Sequence, residues 1–230
     1  MRFSIGVRAL NWRYALGELV LIVAGVFIAL AASDWQKNRD ARRTEIQTLH
    51  EIRRALADDI DALSQLAEHS RKSEAQLREI LKELDSSDPA ADDIGKQFGM
   101  LYCLSRPLLN NAVYESLKST SLLQIKSDSL RAQIAQLYEV SYRQVEQELE
   151  SERFVVWEVV GPYVREFFHD VRPCQSAVPL DLEQLRHDQY FRNMVELRLN
   201  GQTIIYGPTW HAAIEDIRKL LLAIDSELET

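Results

Sequence analysis

The side chains in this sequence with types and spacing suited to chemistry are five histidines, two cysteines and a cluster of aromatics. The histidines are His50, His69, His169, His187 and His211. Two stand directly before an aspartate, as His169-Asp170 and His187-Asp188. Imidazole and carboxylate are both ligands for divalent ions, and metal-dependent phosphohydrolases use such a pair together with further His and Asp ligands from neighbouring helices. No further ligands can be named here, so the pairs read as chance neighbours in a charged sequence. A membrane-tethered metal-dependent hydrolase or ligand-binding protein built on these four residues stays as the alternative. No His-Glu-x-x-His, Gly-x-Ser-x-Gly, phosphate loop or dinucleotide glycine pattern occurs. The expectation is no enzyme, no metal and no cofactor.

Cys103 and Cys174 allow at most one disulfide and match no zinc spacing. They read as two separate, half-buried thiols. A bridge becomes plausible only if this part of the chain faces an oxidising compartment. Phe154, Trp157, Tyr163, Phe167 and Phe168 read as core, the alternative being an apolar cleft at the bend expected at Gly161-Pro162.

The elements that must carry these residues are helices. Glycine (8) and proline (6) are scarce among 230 residues, and 46% of the chain is hydrophobic, as in a globular protein. The net charge is −8; the first 35 residues carry three arginines against Glu18 and Asp34, so the remainder holds −9. That acidity argues against nucleic acid or an anionic lipid surface as its main partner.

Residues 14–33 hold one charge, Glu18. At 1.5 Å per residue this stretch spans about 30 Å, the thickness of a bilayer's hydrocarbon core. Leu19 to Val23, Val26, Phe27, Ile28 and Leu30 each favour insertion by roughly 0.3–0.6 kcal/mol, and a charge near one end opposes this only weakly. Trp12, Tyr14 and Trp35 flank the segment, where amphipathic rings settle at headgroups. Ala29-Leu30-Ala31 also fits a signal-peptide cleavage site, and a buried helix of a soluble protein is a third reading. Trp35 and the helical pattern that follows favour a spanning helix that continues. Gly17, Gly25, Ala29 and Ser33 recur at spacings of four or eight, and Glu18 lies seven residues before Gly25. Small residues so spaced let two helices approach closely, so this face is expected to pack on a second copy or a partner membrane protein. Lys37, Arg39, Arg42 and Arg43 nearly balance Arg2, Arg8 and Arg13 across the segment. A long carboxy-terminal domain can cross regardless of charge, and the reading leans to an inner-membrane protein with its domain extracytoplasmic.

From Gln36 no Gly or Pro occurs until Pro89. Leu49, Leu56, Leu63, Leu77 and Leu84 share one heptad register with Ser70 at the missing step; Ile46, Ile60, Ala67 and Leu81 form a second. Glu68 to Gln76 is too polar for a sustained coiled-coil seam and reads as exposed, or as packing on something other than its own copy. Asp85 to Pro89 ends the helix. Shorter helices are expected over 92–104 and 112–119, and a long one from Ser127-Asp128-Ser129 towards Phe167. On this long helix Leu130, Ile134, Leu137, Val140 or Ser141, Val145 and Leu149 point inward. Residues 173–179 read as a linker and 182–199 as a helix stopped by Gly201. Residues 204–228 read as a last helix bent at Gly207-Pro208, with Ile214, Ile217, Leu220, Leu221, Ile224 and Leu228 buried. No strand with a hairpin turn is expected.

The run from Tyr14 through Gly17-Glu18, Gly25 and Ala29-Leu30 to Trp35 resembles a family of uncharacterised bacterial membrane proteins. These open with a Gly-Glu-apolar-Gly-apolar-Ala-Leu anchor followed by a tryptophan. Tyr114-Glu115-Ser116-Leu117-Lys118-Ser119 with Leu123, Ile125 and Leu130 resembles the family's middle segment. Ser121 stands where that segment has Gly, and Ser33-Asp34 where the family has Asn-Asn. The resemblance implies a retained anchor, a helical domain and a Gram-negative envelope, and it implies no activity. Together these readings predict an all-α protein: a short basic segment (1–13), a transmembrane helix (14–33) continuing into a long amphipathic helix (34–85), and an antiparallel helical bundle (92–230) packing with it. The function expected is that of an anchored, non-enzymatic interaction, scaffold or sensor-input module.

Overall fold

A computed structural model describes residues 12–87, 94–120 and 122–229, with side chains described for 16–87, 95–118 and 122–229. Among the described residues the fold is helical apart from one two-stranded sheet. Helix α1 covers Trp12–Asp85 and ends where the sequence predicts. The chain divides into two compact units, residues 1–47 and 48–230.

In the first unit every side chain from Leu16 to Ala41 is exposed. The apolar stretch of α1 is long and apolar enough to cross a membrane, and none of it is buried.

The second unit is built on the leucine stripe of α1. Leu49, Leu56, Leu63 and Leu77 have no exposed surface, and Ile60, Ala67 and Leu81 of the second register are half-buried. The helices that cover this stripe are α2 (Ile94–Phe98), α3 (Asn111–Thr120), α4 (Asp128–Gln136), α5 (Tyr142–Phe154), α6 (Gly161–Phe167), α7 (Leu182–Arg186), α8 (Gln189–Asn200) and α9 (Gly207–Leu228). Two apolar clusters result. One joins Leu49 to Leu66 with α3, α4, α5 and α9, and stacks Tyr114 on Tyr138 at 4.5 Å. The other joins Leu77 to Leu84 with α2, α6 and α8, around Phe98, Phe168 and Phe191.

Helices α4, α5 and α6 follow one another without a loop, joined by π-helical segments at Leu137–Ser141 and Val155–Val160; a third, Gly201–Tyr206, joins α8 to α9. A π segment holds one extra residue per turn and rotates the stripe after it. So Ser141 faces inward, on Asp216 at 2.8 Å, while Val140 is exposed. Two of the three end at Gly-Pro, with the glycine N–H reaching back five residues: Gly161 to the Val156 carbonyl, Gly207 to that of Gln202. Proline lacks an N–H and its ring collides with the carbonyl four residues back, and a widened turn relieves both problems without breaking the helix. The glycine is required because a Cβ at Gly207 would lie 2.9 Å from the Gln202 oxygen. The kink expected at Gly161-Pro162 is therefore a widened turn. Gly201 does not stop a helix, because the chain continues through it in the π conformation.

Three other expectations are corrected. The linker after Pro173 is a hairpin, with β1 (Phe168–Arg172) pairing antiparallel with β2 (Ser176–Pro179). Its turn uses positive φ at Cys174, and Asp170 adopts one as well. The helix expected over 182–199 is two, because Asp188 leaves the helical path to cap α8 through the N–H groups of Tyr190 and Phe191. Of the aromatic set, Tyr163 and Phe168 are core, whereas Phe154 is 62% exposed and Trp157 is 39% exposed.

Candidate functional site

The strongest concentration of buried polar groups in the 48–230 unit lies between the two apolar clusters. It begins at Ser70, the missing step of the leucine heptad. Ser70 is buried, and its hydroxyl donates to Gln202 Oε1 at 2.5 Å. Gln202 Nε2 donates to Glu152 Oε1. Arg198 Nη1 donates to the same oxygen at 3.0 Å, and Arg198 Nη2 donates to the Cys103 carbonyl at 3.2 Å. Glu152 and Arg198 are 2% and 1% exposed, so the ion pair is out of water. Removing two charges from water costs several kcal/mol per ion, and good geometry with added hydrogen bonds must offset it. The π segments place these groups: Gln202 stands in the Gly201–Tyr206 segment, and Glu152 lies just before the Val155–Val160 segment. Such segments are frequent at functional sites.

The Ser70–Gln202 end opens into a cleft of about 770 Å³. Its charged walls are Glu68, Arg71, Glu74, Glu215 and Arg218, with His211 exposed beside them. Glu68 forms a two-bond pair with Arg71 at 2.8 Å, which holds its carboxyl down at about 2. Arg218 is paired with Glu215. Both arginines of this cleft are thus already paired, and its three carboxylates outnumber them.

A second polar centre sits in the first apolar cluster. Asp59 accepts from Tyr142 Oη at 2.6 Å and from the Asn110 backbone N–H and Nδ2 at 2.8 and 2.9 Å. Burial pushes the Asp59 carboxyl up, and the hydrogen bonds partly oppose it. Burial, then the Asp59 charge, raises the Tyr142 phenol. The site ties the loop before α3 to α1.

The cysteines read as separate thiols are joined as a Cys103–Cys174 disulfide across 71 residues. The bridge ties the turn after α2 to the hairpin. Cys174 N–H also donates to the Gly99 carbonyl, and a Cβ on Gly99 would lie 2.5 Å from the Ser176 nitrogen.

Gly17, Glu18, Gly25, Ala29 and Ser33 all lie exposed on α1, with open space where a Cβ would stand on either glycine. At about 100° per residue, Glu18 projects between Gly25 and Ala29, with Gly17 and Ser33 on the flanks. Trp35 is exposed, with the Arg39 guanidinium 5.6 Å from its ring centre. Trp12 and Tyr14 belong to α1, but their side chains lie outside those described. Of the His-Asp pairs, His169 Nδ1 meets Asp170 at 3.1 Å on the exposed hairpin. Asp188 is engaged by the α8 cap and by the Tyr163 hydroxyl, which holds its carboxyl below the usual range. Among the described residues no group of three or more His, Cys, Asp or Glu is placed to hold a metal ion.

A family model matches residues 18–161, more than half of the chain. The chain belongs to DUF6090, a family of unknown function. No curated protein and no solved structure matches it. The DUF6090 match takes in the apolar stretch of α1 from Glu18 onward, with Asp59, Ser70 and Glu152, and stops at the glycine of the first Gly-Pro step. Arg198 and Gln202, the other half of the buried polar network, lie beyond it. Sequence reasoning missed that network. The only local signal for it is the serine that interrupts the leucine heptad.

Proposed function

We propose that this DUF6090 chain is a single-pass membrane protein with residues 14–33 in the bilayer and residues 48–230 in an oxidising, extracytoplasmic compartment. There it works as a non-enzymatic interaction or sensor-input module. The disulfide is the observation that carries the reading: cysteine bridges persist where thiols are not kept reduced, and this one ties two parts of the domain. It supports the orientation that the flanking charges leave nearly balanced. The apolar stretch of α1, exposed among the described residues, supports the anchor. The bilayer is then the first partner. Gly25, Ala29 and Glu18 on one face favour a second copy or a partner helix as the next.

Fusions to the carboxy terminus in a bacterial host test the orientation. Alkaline phosphatase there is expected to be active and green fluorescent protein dark; a bright fluorescent fusion would reverse the orientation. For the packing face, Gly25→Leu or Ala29→Leu is expected to weaken self-association, or crosslinking to a partner, in native membranes. Recovery of monomer alone, from parent and variants equally, removes that part of the proposal.

A further inference from the structure

Residues 34–43 of α1 follow directly on the apolar stretch. They hold Lys37, Arg39, Arg42 and Arg43 against Asp34 and Asp40, an excess of two positive charges in a chain whose net charge is −8. At about 100° per residue, Trp35, Arg39, Arg42 and Arg43 fall on one face of the helix, and Asp34, Lys37 and Asp40 fall outside it. Trp35 is 66% exposed, and Arg39 and Arg43 on the same face are exposed as well.

The cations of this stretch differ in what they already hold. Arg42 is paired with Glu45 at 2.8 Å, and Lys37 meets Asp34 at 3.9 Å. Among the described residues neither Arg39 nor Arg43 meets a carboxylate. The Arg39 guanidinium lies instead 5.6 Å from the Trp35 ring centre, one turn back along the helix. That direction has a general cause. The Cα–Cβ bonds of an α-helix tilt towards its amino terminus, so side chains that follow a membrane span lean back to the bilayer. At 1.5 Å per residue, Arg39 stands about 9 Å beyond Ser33 and Arg43 about 15 Å beyond it. The headgroup layer is about 5–8 Å deep, and a long cationic side chain carries its charge back by about one turn. Arg39 therefore brings its guanidinium into that layer, and Arg43 brings its own to the outer edge.

We propose, resting on the anchor proposed above, that Arg39 and Arg43 together with Trp35 bind the headgroup of an anionic phospholipid. The lipid phosphate accepts from the guanidinium groups, whose planar fork of N–H donors matches two phosphate oxygens. The Trp35 ring packs at the headgroup level, where amphipathic rings settle. A lipid of net negative charge is selected over a zwitterionic one, because a zwitterionic headgroup brings its own ammonium, which competes with arginine for the phosphate. The two arginines that hold no carboxylate thereby gain a partner.

The test uses the full-length protein in detergent micelles, offered equal amounts of phosphatidylglycerol and phosphatidylcholine with the same acyl chains and read by native mass spectrometry. The protein is expected to retain phosphatidylglycerol about 25-fold more than phosphatidylcholine, a factor of about five for each arginine. Arg39→Gln and Arg43→Gln each lower this preference about fivefold, and the double variant nearly abolishes it. Lys37→Gln, on the other side of the helix, leaves it unchanged. The substituted side chains are exposed, so the variants keep the parent's circular dichroism and stay in carbonate-washed membranes. Equal retention of the two lipids by a parent that resists the wash overturns the lipid site and leaves the anchor standing. So does a preference unchanged in the double variant, or a loss from Lys37→Gln as large as that from Arg39→Gln. Release of the parent by the wash overturns the anchor and the lipid site together.

Discussion

Leu21, Phe27 and Ile28 of α1 are 76%, 68% and 70% exposed, whereas Leu49, Leu56, Leu63 and Leu77, later in the same helix, are fully buried. The two stretches use the same kinds of residue in different patterns. Between Leu19 and Leu30 the apolar side chains go all round the helix, so there is no polar face to give to water. Between Leu49 and Leu84 they form one stripe, with Arg54, Asp61, Arg78 and Glu79 among the exposed residues. A one-sided stripe is satisfied by other helices of the same chain. An all-round apolar surface calls for an apolar surrounding on every side, whether lipid or a protein core. The second stretch also has an interruption that the first lacks: at Ser70 the stripe turns polar and receives the Glu152–Arg198 layer.

The largest effect is expected at that interruption. Arg198→Met leaves the Glu152 carboxylate buried without its cation, a loss of about 3–5 kcal/mol in urea unfolding of the domain. The double variant Glu152→Leu/Arg198→Met recovers much of this. A double variant as unstable as the single one would show that the layer does more than satisfy itself. Next, Leu63→Ala removes a fully buried side chain and costs about 2–5 kcal/mol. Leu21→Ala, in the exposed stretch, leaves the same unfolding transition where it was. Equal losses from both would erase the distinction between the stretches.

Ser70→Leu sharpens the comparison further, because it completes the heptad that the sequence suggests. It orphans Gln202 Oε1, so a destabilisation of about 1–3 kcal/mol is expected, where a plain leucine zipper would be stabilised. The smallest effect concerns pH. The Asp59 carboxyl is raised above its ordinary 3.8 by burial. A raised folded pKa gives stability that is complete below the unfolded value and is lost as pH rises through the folded one. The melting temperature of the parent is thus expected to fall, relative to Asp59→Asn, as pH climbs from the ordinary carboxylate value towards neutrality. Parallel profiles for the two proteins would contradict this.

What the sequence discloses follows from how local each cause is. The stripe of α1 and its end at Asp85 are legible, because periodicity and a run of Asp, Ser and Pro are local signals. Gly161-Pro162 and Gly207-Pro208 announce that something happens to a helix, but whether it kinks or widens depends on the packing around it. Asp188 is a good capping residue, and the six-residue step from Leu185 to Phe191 departs from helical spacing, so this break does have a local signal, which the reading of one helix over 182–199 passes over. The hairpin is concealed because its turn places Cys174, not glycine, at positive φ. Cys103 and Cys174 are 71 residues apart, and Glu152 and Arg198 are 46 apart. No local pattern can pair residues at such separations, so the bridge and the buried layer emerge only once the helices are assembled.

The proposed anchor requires residues 14–33 to have lipid rather than protein or water as their solvent. Washing membranes that contain the full-length chain with alkaline carbonate tests this most directly. The chain is expected to stay in the sedimented membranes and to leave them only with detergent. Its release into the supernatant at full length would contradict the account.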